Sequence, residues 1–444
     1  MPMSEVPHLT TALRGPLEQI EEHILGHQAA IESWLRRQWH ESPPPFYTSI
    51  DLRNAGFKLA PVDTNLFPAG FNNLNPEFLP LGVQAIQSAV DQVLPSALRV
   101  LIIAESHTRN LPYMESLASL SEMFQKAGLE VRIGSFAAEL KAPRDVELPS
   151  GRAVRLEPVV RRGARVGVDG FSPCLVLLNN DMSNGPPAEL EDIEQVIVPP
   201  LALGWAHRLK SDHFREYALV AKEFAELVDI DPWLIDPLFR NCGHIDFMKR
   251  DGEECLADNV DALLAMIRKK YKEYGVTKEP FVMVKADAGT YGMAVMTVKS
   301  AAEVHDLNRK QRTRMAKTKG GVQVSKVIVQ EGVYTMETWG EDAIAEPVVY
   351  MVDRHVVGGF YRVHTKRSTD ENLNAPGMRF EPLAFAQTCI LPDQDQAPDA
   401  EPNRFYAYGV IARLATLAAA RELAPGPRPE EECSDGATQQ AGVA

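Results

Sequence analysis

Apolar positions change their spacing several times along this chain. Leu17, Ile20, Ile24, Ile31 and Leu35 recur at helical spacing, which predicts an amphipathic helix over 16–40, and Ser42-Pro43-Pro44-Pro45 stops it. Two short strand-like runs then flank Asn54-Ala55-Gly56, the signal of a hairpin. RVLIIA at 99–104 is a buried-strand pattern. A helix pattern follows over 112–127, ended by Gly128, and then the strand LEVRIG. That strand–helix–strand order predicts a parallel sheet. LVLLNND at 175–181 reads as another buried strand and WAHRLKSDHFREYALVAKEFAELV as a long helix, so 99–230 forms an α/β unit. After a helix over 258–274 the pattern turns to strands: FVMVKA, YGMAVMTV, VSKVIVQEG, AEPVVYMV and VVGGFYRVH. Short loops and one helical insert at 301–317 predict an antiparallel α+β region. A last helix is expected over 405–421, after a polar loop at 391–403, with a disordered tail from Pro425. There is no internal repeat.

Composition bounds what such a chain does. With 444 residues, 45% apolar and 24% charged, it has the size of two or three domains and can bury a sizeable core. No run approaches the ~18 apolar residues of a membrane span. The N-terminus lacks the basic and apolar stretches of an export signal, so a cytoplasmic protein with no membrane partner is expected. Five scattered cysteines without a CxxC pair read as free or buried thiols. The net charge of −14 disfavours nucleic acid and leaves small anionic ligands, which need a local basic cluster.

The segment 281–298 supplies one. Lys285 lies near the end of a strand, and the small-residue loop Asp287-Ala288-Gly289-Thr290-Tyr291-Gly292 leads into the next strand. A fixed ammonium neutralises phosphate oxygens, and glycines let backbone N–H groups approach them. A loop of this kind can close over a nucleotide as a flap and exclude water. The Walker pattern is absent, and the strand-to-strand path argues against a dinucleotide fingerprint. The glutamate after RVLIIA, Glu105, stands where that fingerprint would put glycine. An ordinary glycine hairpin remains the competing reading. The strand at 324–333 ends in Gln330-Glu331-Gly332-Val333, whose backbone fits an adenine edge and whose Glu331 fits ribose hydroxyls; by itself it reads better as a plain strand leaving the core. Arg362, in an otherwise apolar strand, would be costly if unpaired. It precedes His364, taken as structural, Lys366, which fits ligand or solvent equally, and an Asn-rich loop carrying Asn372. Arginine forks match phosphoryl and carboxylate oxygens.

Taken in order, the strand lysine, the small-residue loop, QEGV and then VYMVDRHVVGGFYRVH…ENLNAPG resemble ATP-grasp ligases such as bacterial glutathione synthetase over 280–385. PVDTNLFPAGFNNL and KADAGTYGM, with the whole chain, are similar to the proteobacterial glutamate–cysteine ligase family. The resemblance implies an α/β, ATP-grasp-like fold with a parallel-sheet pre-ATP-grasp domain and an antiparallel α+β ATP-binding region. ATP-grasp ligases carry an acidic hairpin and an acid-x-Asn for magnesium late in the chain. Nothing after 385 supplies it, whereas Asp51 and Asp63-Thr64-Asn65 do so at the front. The expectation is therefore a circular permutation, with Asp51, Asp63 and Asn65 as Mg²⁺ ligands and Glu331, Glu337 and Glu346 as reserves; a turn and a surface acid is the plain alternative. The expected borders are 1–98 for the helix and metal hairpin, 99–250 for the substrate domain, 251–424 for the ATP-grasp domain and 425–444 for the tail.

Carried over, the resemblance implies ATP-dependent joining of the glutamate γ-carboxylate to the cysteine amine through an acyl phosphate, the first step of glutathione biosynthesis. Lys285, Arg362 and Asn372 take catalytic roles. Lys285, Asp287, Gly289, Thr290, Tyr291, Gly292, Gln330, Glu331 and Val333 take ATP, and Arg53, Lys58, Asn72 and Asn73 take glutamate. Partners are the small-molecule substrates, and a homo-oligomer is allowed. Alternatives are another ATP-grasp carboxylate–amine ligase or a nucleotide-binding module without turnover.

Overall fold

The computed structural model describes residues 20, 23–106, 110–289, 293–318, 321, 323–340, 343–382 and 404–423. Helix α1 (Gln28–Glu41) buries Ile31, Trp34, Leu35 and Trp39 on one face and ends before the prolines, which cannot continue it. The first hairpin follows, β1 (Tyr47–Asn54) and β2 (Leu59–Asn65). Its turn is held where the Gly56 N–H donates to Asn54 Oδ1 and the Ala55 N–H to the Lys58 carbonyl. A helix absent from the sequence reading comes next, α2 (Leu79–Val93). Pro80 sits in its first turn, where the missing N–H costs nothing, and Ala85, Ile86, Ala89 and Val90 form its buried stripe.

The α/β unit comprises β3 (Arg99–Ala104), α3 (Leu111–Lys126), β4 (Glu130–Ser135), β5 (Arg144–Glu147), β6 (Ala153–Pro158), β7 (Val160–Arg162), β8 (Arg165–Gly167), β9 (Leu175–Asn179) and β10 (Val196–Val198). Five strands run parallel in the order β10-β9-β3-β4-β6, and β5 closes the edge antiparallel. The expected parallel sheet is thus present. Helix α4 (Lys210–Val228) starts five residues later than the apolar pattern suggested.

The later part contains β11 (Phe239–His244), α5 (Glu253–Glu273), β12 (Val282–Ala286), β13 (Val295–Val298), the short helices α6 (Ala301–His305) and α7 (Arg309–Met315), and β14 (Lys326–Glu331). Its strands form an antiparallel sheet in the order β11-β14-β12-β13, with α5 packed on one face. Then come β15 (Glu337–Trp339), β16 (Ala343–Val352), β17 (His355–His364), β18 (Arg379–Pro382) and α8 (Arg404–Glu422).

One pairing sets the architecture. The third sheet runs β18-β17-β16-β1-β2, with β15 on β16, so the first hairpin completes a sheet begun some 300 residues later. β1 is antiparallel to β16, with Tyr47 opposite Val352 and Asp51 opposite Val348. Helix α8 packs on β1, β2 and α4. It is buried all round, from Tyr406 and Ala407 to Ala419 and Ala420, which is why its sequence shows little amphipathic contrast. The Thr48 and Thr416 hydroxyls meet at 3.0 Å beneath the sheet. Together these elements form a mixed α/β fold with parallel and antiparallel sheets. Among the described residues no helix is long and apolar enough to cross a membrane.

Candidate active site

A cleft open to solvent, with about 70 Å³ of interior space, lies between the sheet that holds the first hairpin and the antiparallel sheet. Asp51, Arg53 and Asp63 line it from the hairpin, Glu346 and Arg362 from β16 and β17, and Met283 and Lys285 from β12. Gly289, Gln330, Glu331, Val333, Asn372 and Asn374 complete its rim, with Lys210 reaching in from the first residue of α4. Register explains the convergence. Asp51 stands opposite Asp63 across the hairpin, and Glu346 opposite Arg362 across the next pair of strands.

These side chains form a row of alternating charge. The Arg362 guanidinium donates to Asp51 at 2.9 Å and to Glu346 at 2.5 Å. Arg53 donates to the other Glu346 oxygen at 3.0 Å and to the Val333 carbonyl at 3.0 Å. Lys210 donates to Asp63 at 2.6 Å. Burial opposes the Glu346 charge, yet Arg53 and Arg362 overcome it and lower its pKa. Asp63 behaves likewise: burial raises it, and the Lys210 and Lys285 ammoniums bring it down to about 2. Asp51 goes the other way. Burial raises its pKa, Arg362 offsets only part, and Glu346 and Asp63 add to the rise. The acid side of the cleft is therefore short of positive charge at Asp51.

Opposite it, the Lys285 ammonium donates to the Val62 carbonyl at 2.8 Å and to Gln330 Oε1 at 2.6 Å, which fixes its position. Burial lowers its pKa to about 8, with Asp63 pulling upward. The Gln330 amide nitrogen is buried and has no partner, as does Arg362 Nε, so two unspent donors lie in cleft-lining side chains. Beyond Lys285, Asp287 accepts from the Ser211 N–H and hydroxyl, both at 2.8 Å, and its carbonyl accepts from the Lys210 N–H at 2.8 Å. The root of the loop thus caps helix α4, whose own preceding residue, Leu209, has no capping side chain. Gly289 takes φ +116°, a conformation that suits glycine.

The sequence model of glutamate-cysteine ligases matches residues 21–423. The chain belongs to the glutamate-cysteine ligase family. A solved structure from Methylobacillus flagellatus KT, provisionally named a gamma-glutamylcysteine synthetase, is 60% identical with a TM-score of 0.87. The match covers 94% of this chain and 98% of that one. A D-alanyl-alanine synthetase A from Vibrio cholerae is 11% identical with a TM-score of 0.32, covering 72% of this chain and 81% of that one. A RimK-domain ATP-grasp protein from Sphaerobacter thermophilus is 12% identical with a TM-score of 0.28, covering 72% and 98%. Scores that low carry no argument about fold. No curated protein matches the sequence.

Within this family member the structure gathers Asp51, Arg53, Asp63, Lys285, Gly289, Gln330, Glu331, Val333, Arg362 and Asn372 around one cleft. Asp287 lies just behind it, and Thr290, Tyr291 and Gly292 lie outside the described residues. Several expectations need correcting. Asn65 faces its own turn, where its Oδ1 accepts from the Phe67 N–H at 3.0 Å, and it does not line the cleft. Lys58 is fully buried on Glu331 at 2.6 Å, because its ammonium is needed by that carboxylate. Asn72 and Asn73 form a short helical turn with Phe71, bonded to each other away from the cleft. The Glu331 carboxylate, on the cleft lining, already accepts from Lys58, the Trp233 indole N–H and the Leu238 N–H. The N–H groups of Glu331 and Gly332 pair with Leu238 and Phe281 carbonyls. Of the reserve acids, Glu346 lines the cleft, whereas Glu337 lies below with Asn54 and Tyr408. Lys366 is exposed and not among the lining residues. The sequence reading missed Lys210 and Asn374. Nothing local marks Lys210, which is simply the first residue of a helix.

Proposed function

We propose that this cleft is where the enzyme, a glutamate–cysteine ligase, uses ATP to join the glutamate γ-carboxylate to the cysteine amine. The single observation that carries the placement is that Lys210, Lys285 and Arg362 meet Asp51 and Asp63 around one open cleft. Such a set can neutralise a triphosphate and an acyl phosphate together. The arrangement fits an ATP-grasp enzyme in permuted form, since strands from both ends of the chain share the sheet that bears these acids. In this reading 1–98 and 251–424 make up the nucleotide unit, 99–250 the substrate domain.

The donor chemistry suits Mg²⁺. Asp51 and Asp63 offer hard oxygens, and this ion is commonly held by one or two carboxylates plus substrate phosphates. Among the described residues no group of three His, Cys, Asp or Glu side chains is placed to hold a metal by itself. When bound with ATP, Mg²⁺ supplies charge neutralisation on the transferring phosphate. Asp51 and Asp63 would hold the ion, and Lys210 and Arg362, which pair with them here, would balance phosphate charge.

Lys285 and Lys210 then hold phosphates, with Gly289 on the rim beside them. The glutamate γ-carboxylate oxygen attacks the γ-phosphorus, ADP leaves, and an acyl phosphate forms. Arg362 balances charge on the transferring phosphoryl and then on the tetrahedral oxyanion. The neutral cysteine amine attacks the acyl carbon, the C–O bond breaks, phosphate departs, and the amine proton passes to solvent. Asn372 and Asn374, on the rim, orient polar substrate groups. No enzyme nucleophile is required. The test is ADP release with glutamate and a panel of amines: dependence on cysteine is expected, and ADP release indifferent to cysteine overturns the assignment. Asp63→Ala is expected to abolish turnover in a way that raised Mg²⁺ partly restores; full activity in that variant removes Asp63 from the metal site.

A further inference from the structure

Two cysteines far from the reaction are in contact. The Cys242 and Cys255 sulfurs lie 3.7 Å apart, and neither is in a disulfide. Cys242 is buried on β11, while Cys255 is exposed in the first turn of α5. Neither thiol lines the cleft, and the proposed mechanism uses neither.

The local backbone is built to bring them together. Gly252 precedes α5 at φ +76°, and a Cβ there would stand 2.2 Å from the His244 carbonyl oxygen. Only glycine lets the start of α5 sit on the end of β11. Asp246 ties the intervening turn by accepting from the Met248 and Lys249 N–H groups. The β11–β14 ladder shifts register between Cys242 and His244, which interrupts the regular pairing beside Cys242. A disulfide needs sulfurs about 2 Å apart, so side-chain rotation and a small strand shift must close a gap of about 1.7 Å. The Asn259 amide lies 3.5 Å from the Cys255 sulfur and is held by Arg240, which places a donor beside the exposed thiol.

We propose that Cys242 and Cys255 form a thiol–disulfide modification site, oxidised by low-molecular-weight disulfides to an intramolecular bridge. The exposed Cys255 thiolate attacks one sulfur of the small disulfide. A Cys255–S bond forms and the other half leaves as a thiolate. Cys242 then gives its proton to solvent and attacks the Cys255 sulfur, and the second small thiolate leaves. Two protein thiols are oxidised and one small disulfide is reduced to two thiols. Burial, with Cys255 adding to it, pushes the Cys242 thiol up to about 12, so the exposed Cys255 is the thiol that meets the small disulfide first. The bridge ties α5 to β11, the strand whose preceding residue, Leu238, holds Glu331 through both its N–H and its carbonyl.

The test treats the full-length native chain with glutathione disulfide, blocks remaining thiols with N-ethylmaleimide, and maps peptides without reduction. The expected result is a cross-link between the peptides carrying Cys242 and Cys255, loss of maleimide labelling at Cys255, and reversal by dithiothreitol. Cys242→Ala is expected to trap a glutathione adduct on Cys255, and Cys255→Ala to leave Cys242 without an adduct. A wild-type Cys255 that stays fully labelled, keeps a stable adduct, or bridges to another molecule overturns the proposal. Because the surface variant Cys255→Ala does not disturb the core, a folding failure of Cys242→Ala leaves the test intact. The readout requires neither ATP nor turnover, so it stands or falls apart from the ligase reading.

Discussion

Two ion-pair groups involve the first hairpin, and they differ in what they leave unspent. In the cleft, Asp51, Arg362, Glu346 and Arg53 alternate along one face and Lys210 holds Asp63, with Arg362 Nε and the Gln330 amide still unpartnered. At its back, Lys58 meets Glu331 at 2.6 Å beside the Trp233 ring, and Glu331 accepts from three donors. Both groups are charged and buried, so charge and burial do not mark function. What separates them is the donors left over for a ligand, since Glu331 also reaches the rim. The sealed group holds the fold, and the open one is poised for chemistry.

Breaking the sealed pair is the severest test of that distinction. Lys58→Met leaves the Glu331 carboxylate buried without its cation, which costs about 3–5 kcal/mol. Chemical denaturation should show this loss, while the folded fraction keeps its kcat. Adding Glu331→Gln removes the stranded charge and should recover much of the stability. A Lys58→Met enzyme of normal stability with lost turnover would reverse the assignment of the two groups.

Arg362→Lys tests the open group. It keeps one charge but loses the fork that spans Asp51 and Glu346. Turnover is expected to fall by about 10²–10³, the scale of losing one well-placed donor to a transition state, with little change in denaturation midpoint. A large stability loss with unchanged kcat would make Arg362 a structural residue like Lys58.

The sequence announced the open group better than the sealed one. Arg362 stands out because an unpaired guanidinium in VVGGFYRVH would be costly, and Lys285 because a small-residue loop follows it. Lys58 looked like a substrate ligand because its partner, Glu331, is 273 positions away. Lys210 went unseen because its place opposite Asp63 exists only once α4 packs beside the hairpin. The strands at 99–104, 175–179 and 343–352 were legible as apolar runs. The strand Phe239–His244 was not, since FRNCGH becomes a strand by pairing with β14. The pairing of β1 with β16 was not legible either, since it joins segments some 300 residues apart in the chain. Asn65 fitted the two-residue period with Asp63, but its amide caps a turn instead.

The comparison sharpens with pH. Lys285 is charged below about 8 and neutral above it, because burial lowers its pKa from 10.5. Phosphates need the ammonium, so nucleotide binding above that pH must take up a proton. The Kd for ATP should then rise toward about tenfold per pH unit. For folding the sign is opposite. The native state disfavours the charged lysine, so this group's penalty is full at neutral pH and is relieved as pH rises from about 8 toward 10.5. Calorimetry in two buffers of different ionisation enthalpy measures the proton uptake. A flat Kd between pH 7 and about 9 would place the phosphates away from Lys285.

The smallest expected effect probes where the two roles meet. Asp287 caps helix α4 from the root of the loop and so joins a fold contact to a site contact. Asp287→Ala leaves the Ser211 N–H without its acceptor, worth about 1 kcal/mol by analogy with a helix cap. Asp287→Asn retains an acceptor oxygen and should lose less. If the cap also positions the loop, the KM for ATP rises in the alanine variant with kcat nearly unchanged, and the asparagine variant restores it. If KM is the same in both while stability drops, the cap serves the helix alone, and the loop is positioned by Lys285 and Gly289 without it.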